Sequence, residues 1–390
     1  MLNRRILRVK AMQSLYSFYV ARSSLKSVIR QELLDKYRLD PAVHDFSDKP
    51  LFQKRQEALA LLFDGKLNDN SYGDHHDLGE EEISDTDESI ERYISRTKEE
   101  QRTIKKSMIN EIDQLSTAYY KLLLLPGELS FIELQDKEKR EKAGKTTANW
   151  HYNLTKNEVI DALSSFGPVV EKTIKEKISW EADRDEVKQW YKDLIRKEDF
   201  FIQYQSKKNP TEEDHKQVIL DILKKVIFKN EVTEDFFMSK DLRWAENKAP
   251  LKSLVTKTIK SYEKGSDDAF EIMSLSKNLE DDLYFFKKLY DQTIEQDEKL
   301  SLIIAKKTKN WEVNRIAMLD RIILKMALTE MITFPSIPVK VTINEFIELS
   351  KTYSTPKSKQ FVNGILDVLS NELTSEGVIR KSGRGLIDNK

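Results

Sequence analysis

The sequence predicts an all-α protein, and three observations predict it. Apolar residues recur three and four apart through almost the whole chain, the spacing of one buried helix face. Only 11 Gly and 9 Pro stand among 390 residues, below the usual shares of about 7% and 5%. Tight turns are therefore too few for a β-sandwich or barrel. No segment alternates with period two for long enough to propose a sheet. With 34% charged and 39% apolar residues and a mean hydropathy of −0.59, the chain fits amphipathic helices with one buried stripe each. Its length suits two or three domains.

The spacing predicts helices over 5–31, 51–63, 90–124, 183–206, 211–229, 247–263, 278–308, 313–332, 342–353 and 356–373. Breaks are expected at Pro41, Pro50, Pro126–Gly127, Gly144, Gly167–Pro168, Pro210, Pro250, Gly265 and Pro335–Pro338. In the first helix Leu7, Ala11, Leu15, Phe18 and Leu25 share one face and form a core stripe. Arg5, Arg8, Lys26 and Arg30 lie on an adjoining strip, interleaved with Met12, Tyr16 and Tyr19. Cations and flat rings on one exposed strip suit the phosphates and bases of single-stranded RNA. The same pattern suits a solvated flank whose tyrosines cover the core. Residues 64–90, with nine acids between Asp74 and Glu91, read as a disordered acidic loop.

In the middle of the chain Ile227, Glu231 and Trp244 stand at the same mutual distances as Ile294, Glu298 and Trp311. This fits a duplicated helix–Trp–helix unit, and also the general likeness of amphipathic helices. Near the C-terminus Thr342 and Glu345 form a capping box, with Val341 and Phe346 as its hydrophobic staple. Thr355 and Pro356 suit the cap and first position of the next helix. Its stripe is Phe361, Val362, Ile365, Leu366, Leu369 and Leu373; Gly364 leaves a patch of backbone bare, which suits close helix packing first and backbone contact with a ligand second.

Zero Cys excludes disulfides, Cys-zinc sites, Fe–S clusters and thiol nucleophiles. No phosphate-binding glycine loop, dinucleotide fingerprint, nucleophile elbow or zinc-protease motif occurs. His44, His75, His76, His151 and His215 are scattered, and the one adjacent pair sits in the acidic stretch. No cofactor, no metal and no enzyme is the expectation. No apolar run reaches the roughly 18 residues of a membrane helix.

The formal net charge is −1, yet the first 31 residues carry +7 and the other 359 carry −8. An Arg-rich, acid-free start also describes a mitochondrial transit peptide. If it is the first core helix instead, cleavage would remove Leu7, Ala11, Leu15 and Phe18, costing about 2–4 kcal/mol for each larger side chain. A cytoplasmic location is the expectation.

Arg4-Arg5 followed by Gln13-Ser-Leu-Tyr16 resembles the opening of the NusB transcription-antitermination family. The segments Leu319–Glu330, Pro338–Glu345 and Phe361–Asp367 resemble its C-terminal half block for block. The resemblance covers residues 1–35 and 281–375, and the long middle is similar to extended members from Bacteroidetes-type bacteria. It implies a NusB-like helical bundle interrupted by a long helical insertion. Residues 1–35 would be the first basic helix, 36–280 the insertion, 281–375 the C-terminal bundle and 376–390 a flexible tail.

The resemblance further implies an RNA-binding antitermination factor. Such a factor binds boxA-like single-stranded RNA with a small ribosomal protein acting as NusE, and joins the RNA polymerase complex in ribosomal RNA operons. The RNA residues implied are Arg4, Arg5, Arg8, Lys10, Tyr16, Lys357, Lys359, Gln360, Phe361 and Asn363; the partner residues are Tyr16, Asp320 and Arg321. Ile6 interrupts the family's Arg run, and Pro356-Lys357 replaces a more acidic pair. The alternative is an all-helical interaction scaffold whose insertion carries the function.

Overall fold

Helical spacing leads to helices, and the computed structural model shows no strand among the residues it describes, 4–68, 78–145, 149–266, 268–276, 278–307 and 316–389. The chain forms two compact units. One comprises Met1–Ile6 and Asn110–Asp282, the other Leu7–Ile109 and Leu283–Lys390. Fifteen α-helices occur among the described residues.

The second unit contains α1 (Arg4–Lys36) from Leu7 onward, α2 (Lys49–Leu67) and the first half of α3 (Glu80–Lys142). It continues with most of α11 (Leu279–Glu295), then α12 (Asp297–Lys307), α13 (Met318–Thr333), α14 (Val339–Tyr353) and α15 (Ser358–Ser375). Helix α13 is its axis: every residue from Ile322 to Met331 is buried, as expected of a helix surrounded by others. It packs on α12, α14 and α15. The stripe of α1 behaves as its spacing predicts, with Leu7, Ala11, Leu15 and Phe18 buried; Leu25 is half-buried.

The acidic stretch differs from its expectation. Glu80–Glu91 forms the first turns of α3, because carboxylates favour a helix N-terminus and find cations here. Asp85 accepts from Lys36 and Tyr37, Glu82 pairs with Arg55 at 2.6 Å, and Asp87 pairs with Lys66. The part at 69–77, with His75 and His76, lies outside the described residues. So does Trp311, on which the proposed repeat depends.

Three C-terminal expectations also change. Helix α14 starts at Val339 with Pro338 as its cap, so Thr342 lies inside the helix, buried, and no Thr342–Glu345 capping box or Val341–Phe346 staple forms. Helix α15 starts at Ser358, two residues after Pro356, with the Thr355 carbonyl accepting from the Ser358 N–H. The tail folds back: Ser382 N–H donates to the Pro335 carbonyl at 3.0 Å, and Ile379 is buried. Only glycine fits at 385, where a Cβ would stand 2.0 Å from the Pro335 oxygen.

The first unit holds the second half of α3 with α4 (Glu158–Ser165), α5 (Gly167–Lys175), α6 (Arg184–Asp193), α7 (Asp199–Ser206), α8 (Glu212–Asp221), α9 (Glu231–Lys240) and α10 (Trp244–Lys260). Pro126 and Pro250 do not break their helices. Around Pro126 the buried Leu122, Leu123, Leu125 and Leu129 hold α3 together through the missing backbone hydrogen bond. The span 183–206 divides into α6, a short 3-10 turn and α7, and 211–229 into α8 and a π-helical stretch. The unpredicted α4, α5 and α9 are too short for a periodicity window, yet α4 and α9 are capped. Asn157 accepts from the Val159 and Ile160 N–H groups, and Asn230 from the Val232 N–H. The unit's capping box is Thr211 with Asp214. Its aromatic core joins Trp180 to Trp190 at 5.8 Å between ring centroids, Trp190 to Phe236 at 5.0 Å and Phe237 to Trp244 at 4.2 Å.

Candidate nucleic-acid interface

The residues expected to touch RNA fall into two groups. Arg8 leaves the exposed strip, and Lys10, implied as an RNA residue, is buried too, with 3% and 1% of their surface accessible. Arg8 reaches the Glu330 carboxylate with both prongs of its fork, Nε to Oε2 at 2.7 Å and Nη2 to Oε1 at 2.8 Å. Thr342 Oγ1 donates to the same Oε1 at 2.8 Å, and Glu345 stands 3.6 Å from Nη1. The Phe285 and Phe346 rings lie 5.5 and 6.0 Å from the guanidinium carbon. A charge so enclosed needs its counter-charge, and here it has one. Arg8 therefore ties α1 to α13 and α14, and the strip expectation is corrected at this position.

Met12 and Tyr19 are buried as well. Lys26 and Arg30 are half-buried and share Asp64 of α2, at 2.8 and 3.1 Å. In the first unit, Arg4 is part-exposed and pairs with Asp281 at 3.3 Å, whereas Arg5 is exposed. Tyr16 is exposed over 43% of its surface.

The start of α15 keeps its expected side chains at the surface. Lys357, Lys359 and Gln360 are exposed, and Phe361 and Asn363 are half-buried. Gly364 corrects a second expectation, since a Cβ there would meet nothing within 4 Å. Helix packing does not require it. It lies seven, four and three residues after Lys357, Gln360 and Phe361, so the four share one face, with bare backbone at its end.

Asp320 is buried to 6%, not presented at the surface. One oxygen accepts from Ser358 Oγ at 2.7 Å, and Ser358 Oγ also meets the Ser354 and Thr355 hydroxyls at 3.0 and 2.8 Å. Oδ1 is buried without a hydrogen-bond partner among the described residues. Asp320 thus fixes the start of α15 to α13, about 15 Å along the helix from the point where Glu330 holds α1. Arg321 is half-buried and lines a pocket of about 280 Å³ with Tyr19, Arg22, Lys26, Tyr93 and Lys325.

Sequence reasoning passed over the charges inside α13. Lys325 and Glu330 interrupt an otherwise apolar helix and were the available signal. Lys325 pairs with Asp297, which also accepts from the Tyr19 hydroxyl at 2.7 Å and Arg22 at 3.0 Å. Burial pulls the Lys325 ammonium below its ordinary range, with Asp297 opposing.

A family model described as "NusB family" matches residues 247–371, beginning upstream of the C-terminal resemblance. Transcription antitermination protein NusB of Dictyoglomus turgidum is 39% identical over 104 residues, 27% of this chain and 70% of that protein. This chain belongs to the NusB family. The NusB of Chloroherpeton thalassium is 47% identical over 27% of this chain, and that of Salinibacter ruber 45% over 26%. The chain spans 49% and 64% of the lengths of these two relatives. No solved structure matches. The family match thus covers α11–α14 with most of α10 and α15, and the helices before α10 lie outside it. No described helix is long and apolar enough to cross a membrane, and the described residues hold no group of three metal-ligating side chains.

Proposed function

We propose that this chain is a non-enzymatic, RNA-binding transcription antitermination factor. In this reading it holds boxA-like single-stranded RNA together with a small ribosomal protein acting as NusE, within an RNA polymerase complex that reads through ribosomal RNA operons. Membership of the NusB family supports the role. The observation that carries the RNA surface is the open face of α15, where Lys357, Gln360, Phe361 and Gly364 combine charge, amide, ring and bare backbone. Lys359 and Asn363 flank that face, and Tyr16 of α1 supplies a further exposed ring in the same unit. Lysines attract phosphates, a ring stacks on a base, and a helical glycine lets a sugar–phosphate chain approach closely. Arg8 and Asp320 act by holding the elements that carry these groups.

Fluorescence anisotropy of a labelled boxA-like RNA, with and without the ribosomal partner, tests this reading. The double variant Lys357→Ala/Lys359→Ala should bind more weakly and reduce the log–log salt slope by about 1.4, for two lost phosphate contacts on a single strand. An unchanged slope removes the lysines from the RNA path. Gly364→Ala gives an independent check. It should stabilise α15 by up to about 1 kcal/mol, since glycine is a poor helix residue and the space is open. RNA affinity should nevertheless fall. A stabilised protein with unaltered affinity would mean that RNA stays clear of this face.

A further inference from the structure

We infer that the first unit carries its own polyanion-binding groove, and that its ligand is the phosphate backbone of RNA. The groove has a volume of about 840 Å³ between the last turns of α3 and the face of α6 with the 3-10 turn that follows it. Seven of its twelve lining residues are Lys or Arg, and Asp136 is the one acid. On α3 the positions Asp136, Lys139, Arg140 and Ala143 fall on one helical face, as Lys188, Tyr191 and Lys192 do on α6. Two helices thus turn cationic faces toward the same space.

What sets this groove apart within its unit is the gathering of seven cations around one space. Other cations of the unit meet carboxylates, as Lys121 does Asp183 at 2.5 Å, Arg184 Glu128 at 2.6 Å and Arg243 Glu111 at 2.7 Å, or stand singly without an ion pair among the described residues, as Lys175 and Lys257 do. In the groove, Arg140 and Arg196 share Asp136, each at 2.9 Å. Lys139, Lys145, Lys188 and Lys192 make no ion pair among the described residues, and all four are exposed. Like charges gathered without counter-charges repel one another, and an incoming anion relieves that repulsion. Arg196 Cζ stands over the Trp150 ring, 4.7 Å from its centroid, which braces the guanidinium at the wall.

The chemistry favours RNA over an acidic protein. Protein interfaces centre on apolar anchors and are depleted in Lys. Here Ile132 and the ring of Tyr191 are buried, and the exposed side chains of the lining are five lysines, the Gln135 amide and the small Ala143. Rows of cations around a wet groove match a phosphate chain. The choice of RNA as the polyanion rests on the antitermination reading, so the test separates the two.

The full-length chain is titrated with a fluorescein-labelled oligouridine lacking any boxA-like sequence, and separately with the boxA-like RNA. Three proteins are compared: wild type, Lys139→Ala/Lys188→Ala/Lys192→Ala, and the α15 variant Lys357→Ala/Lys359→Ala. The groove variant should bind oligouridine about tenfold more weakly at physiological salt, with its log–log slope reduced by about 2. Replacing the same three lysines by Arg should restore binding, which loss of fold would not. Unchanged affinity and slope in the groove variant overturn the inference, whatever the α15 variant does. Loss in the groove variant with no effect of the α15 variant on boxA-like RNA upholds the groove and removes the α15 surface. A polyglutamate chain that competes as well as oligouridine of equal charge overturns RNA in favour of an acidic protein partner.

Discussion

Arg8→Ala should destabilise the second unit by about 3–5 kcal/mol, the cost of leaving one member of a buried ion pair unpaired. Glu330 is wholly buried, and Arg8 supplies two of the three hydrogen bonds that it accepts. Without the guanidinium, the carboxylate keeps only the Thr342 hydroxyl among the described residues. Arg8→Lys should also be costly, because an ammonium cannot reproduce the two-pronged contact. Guanidinium unfolding followed by circular dichroism measures both. The double variant Arg8→Met/Glu330→Leu removes both charges and should recover most of the loss, since apolar side chains of similar size often replace a buried pair at little cost. It also separates structure from recognition. Retained RNA binding in a folded double variant is the expected result; lost binding there would return Arg8 to the RNA path.

The position of Arg8 shows how far the sequence could be read. The stripe Leu7, Ala11, Leu15 and Phe18 is legible because burial repeats with the helical turn. Arg8 lies seven residues before Leu15, only about 20° away on the wheel, so the geometry already placed it near the core. Its charge argued the other way, because a wheel gives a direction but not what waits there. The answer, Glu330, is 322 residues distant in sequence. Its trace is local all the same, a carboxylate within the apolar run of α13. The acidic stretch before Glu91 failed for a related reason. Its composition suits a solvated loop, but a helix N-terminus and the cations of α1 and α2 make it helical.

The blocks of α13–α15 were legible because they resemble a family, and the comparisons support that part of the chain. Their detailed roles were less so. Thr342 and Glu345 have the spacing of a capping box, but the helix begins three residues earlier, and both side chains turn toward the Arg8 network. The basic groove of the first unit was not legible at all. Lys139 and Lys188 belong to separate helices, each with an unremarkable charged face, and only packing brings those faces together. Position along the chain shows charge but not its focus.

Glu133→Ala should cost on the order of 4 kcal/mol in the first unit, because it leaves three buried donors and a part-buried one without their acceptor. The Glu133 side chain is fully buried. Its Oε2 accepts from the Leu154 and Thr155 N–H groups at 2.8 and 3.2 Å, and its Oε1 from Tyr191 Oη at 3.0 Å and Gln205 Nε2 at 2.6 Å. Gln205 in turn accepts from the Asn153 N–H at 2.8 Å. One carboxylate therefore organises the turn before α4 and joins it to α3, α6 and α7. Burial pushes the Glu133 carboxyl up to about 7, against the opposing pull of these hydrogen bonds. The sign follows from proton binding. Below the unfolded value of 4.5, both states hold the proton and the group contributes no pH dependence. Between 4.5 and about 7 the folded state keeps a proton that the unfolded chain releases, so stability falls as pH rises. The contribution lost across that window is about 3 kcal/mol, and it levels off above pH 7. Trp150, Trp180, Trp190 and Trp244 all lie in this unit, so tryptophan fluorescence during chemical unfolding reports on it. In Glu133→Gln the decline between pH 4.5 and 7 should shrink, because the amide does not titrate. A decline of the same size in that variant would assign the pH dependence to other groups, and a fully stable Glu133→Ala would show that the turn holds without its carboxylate.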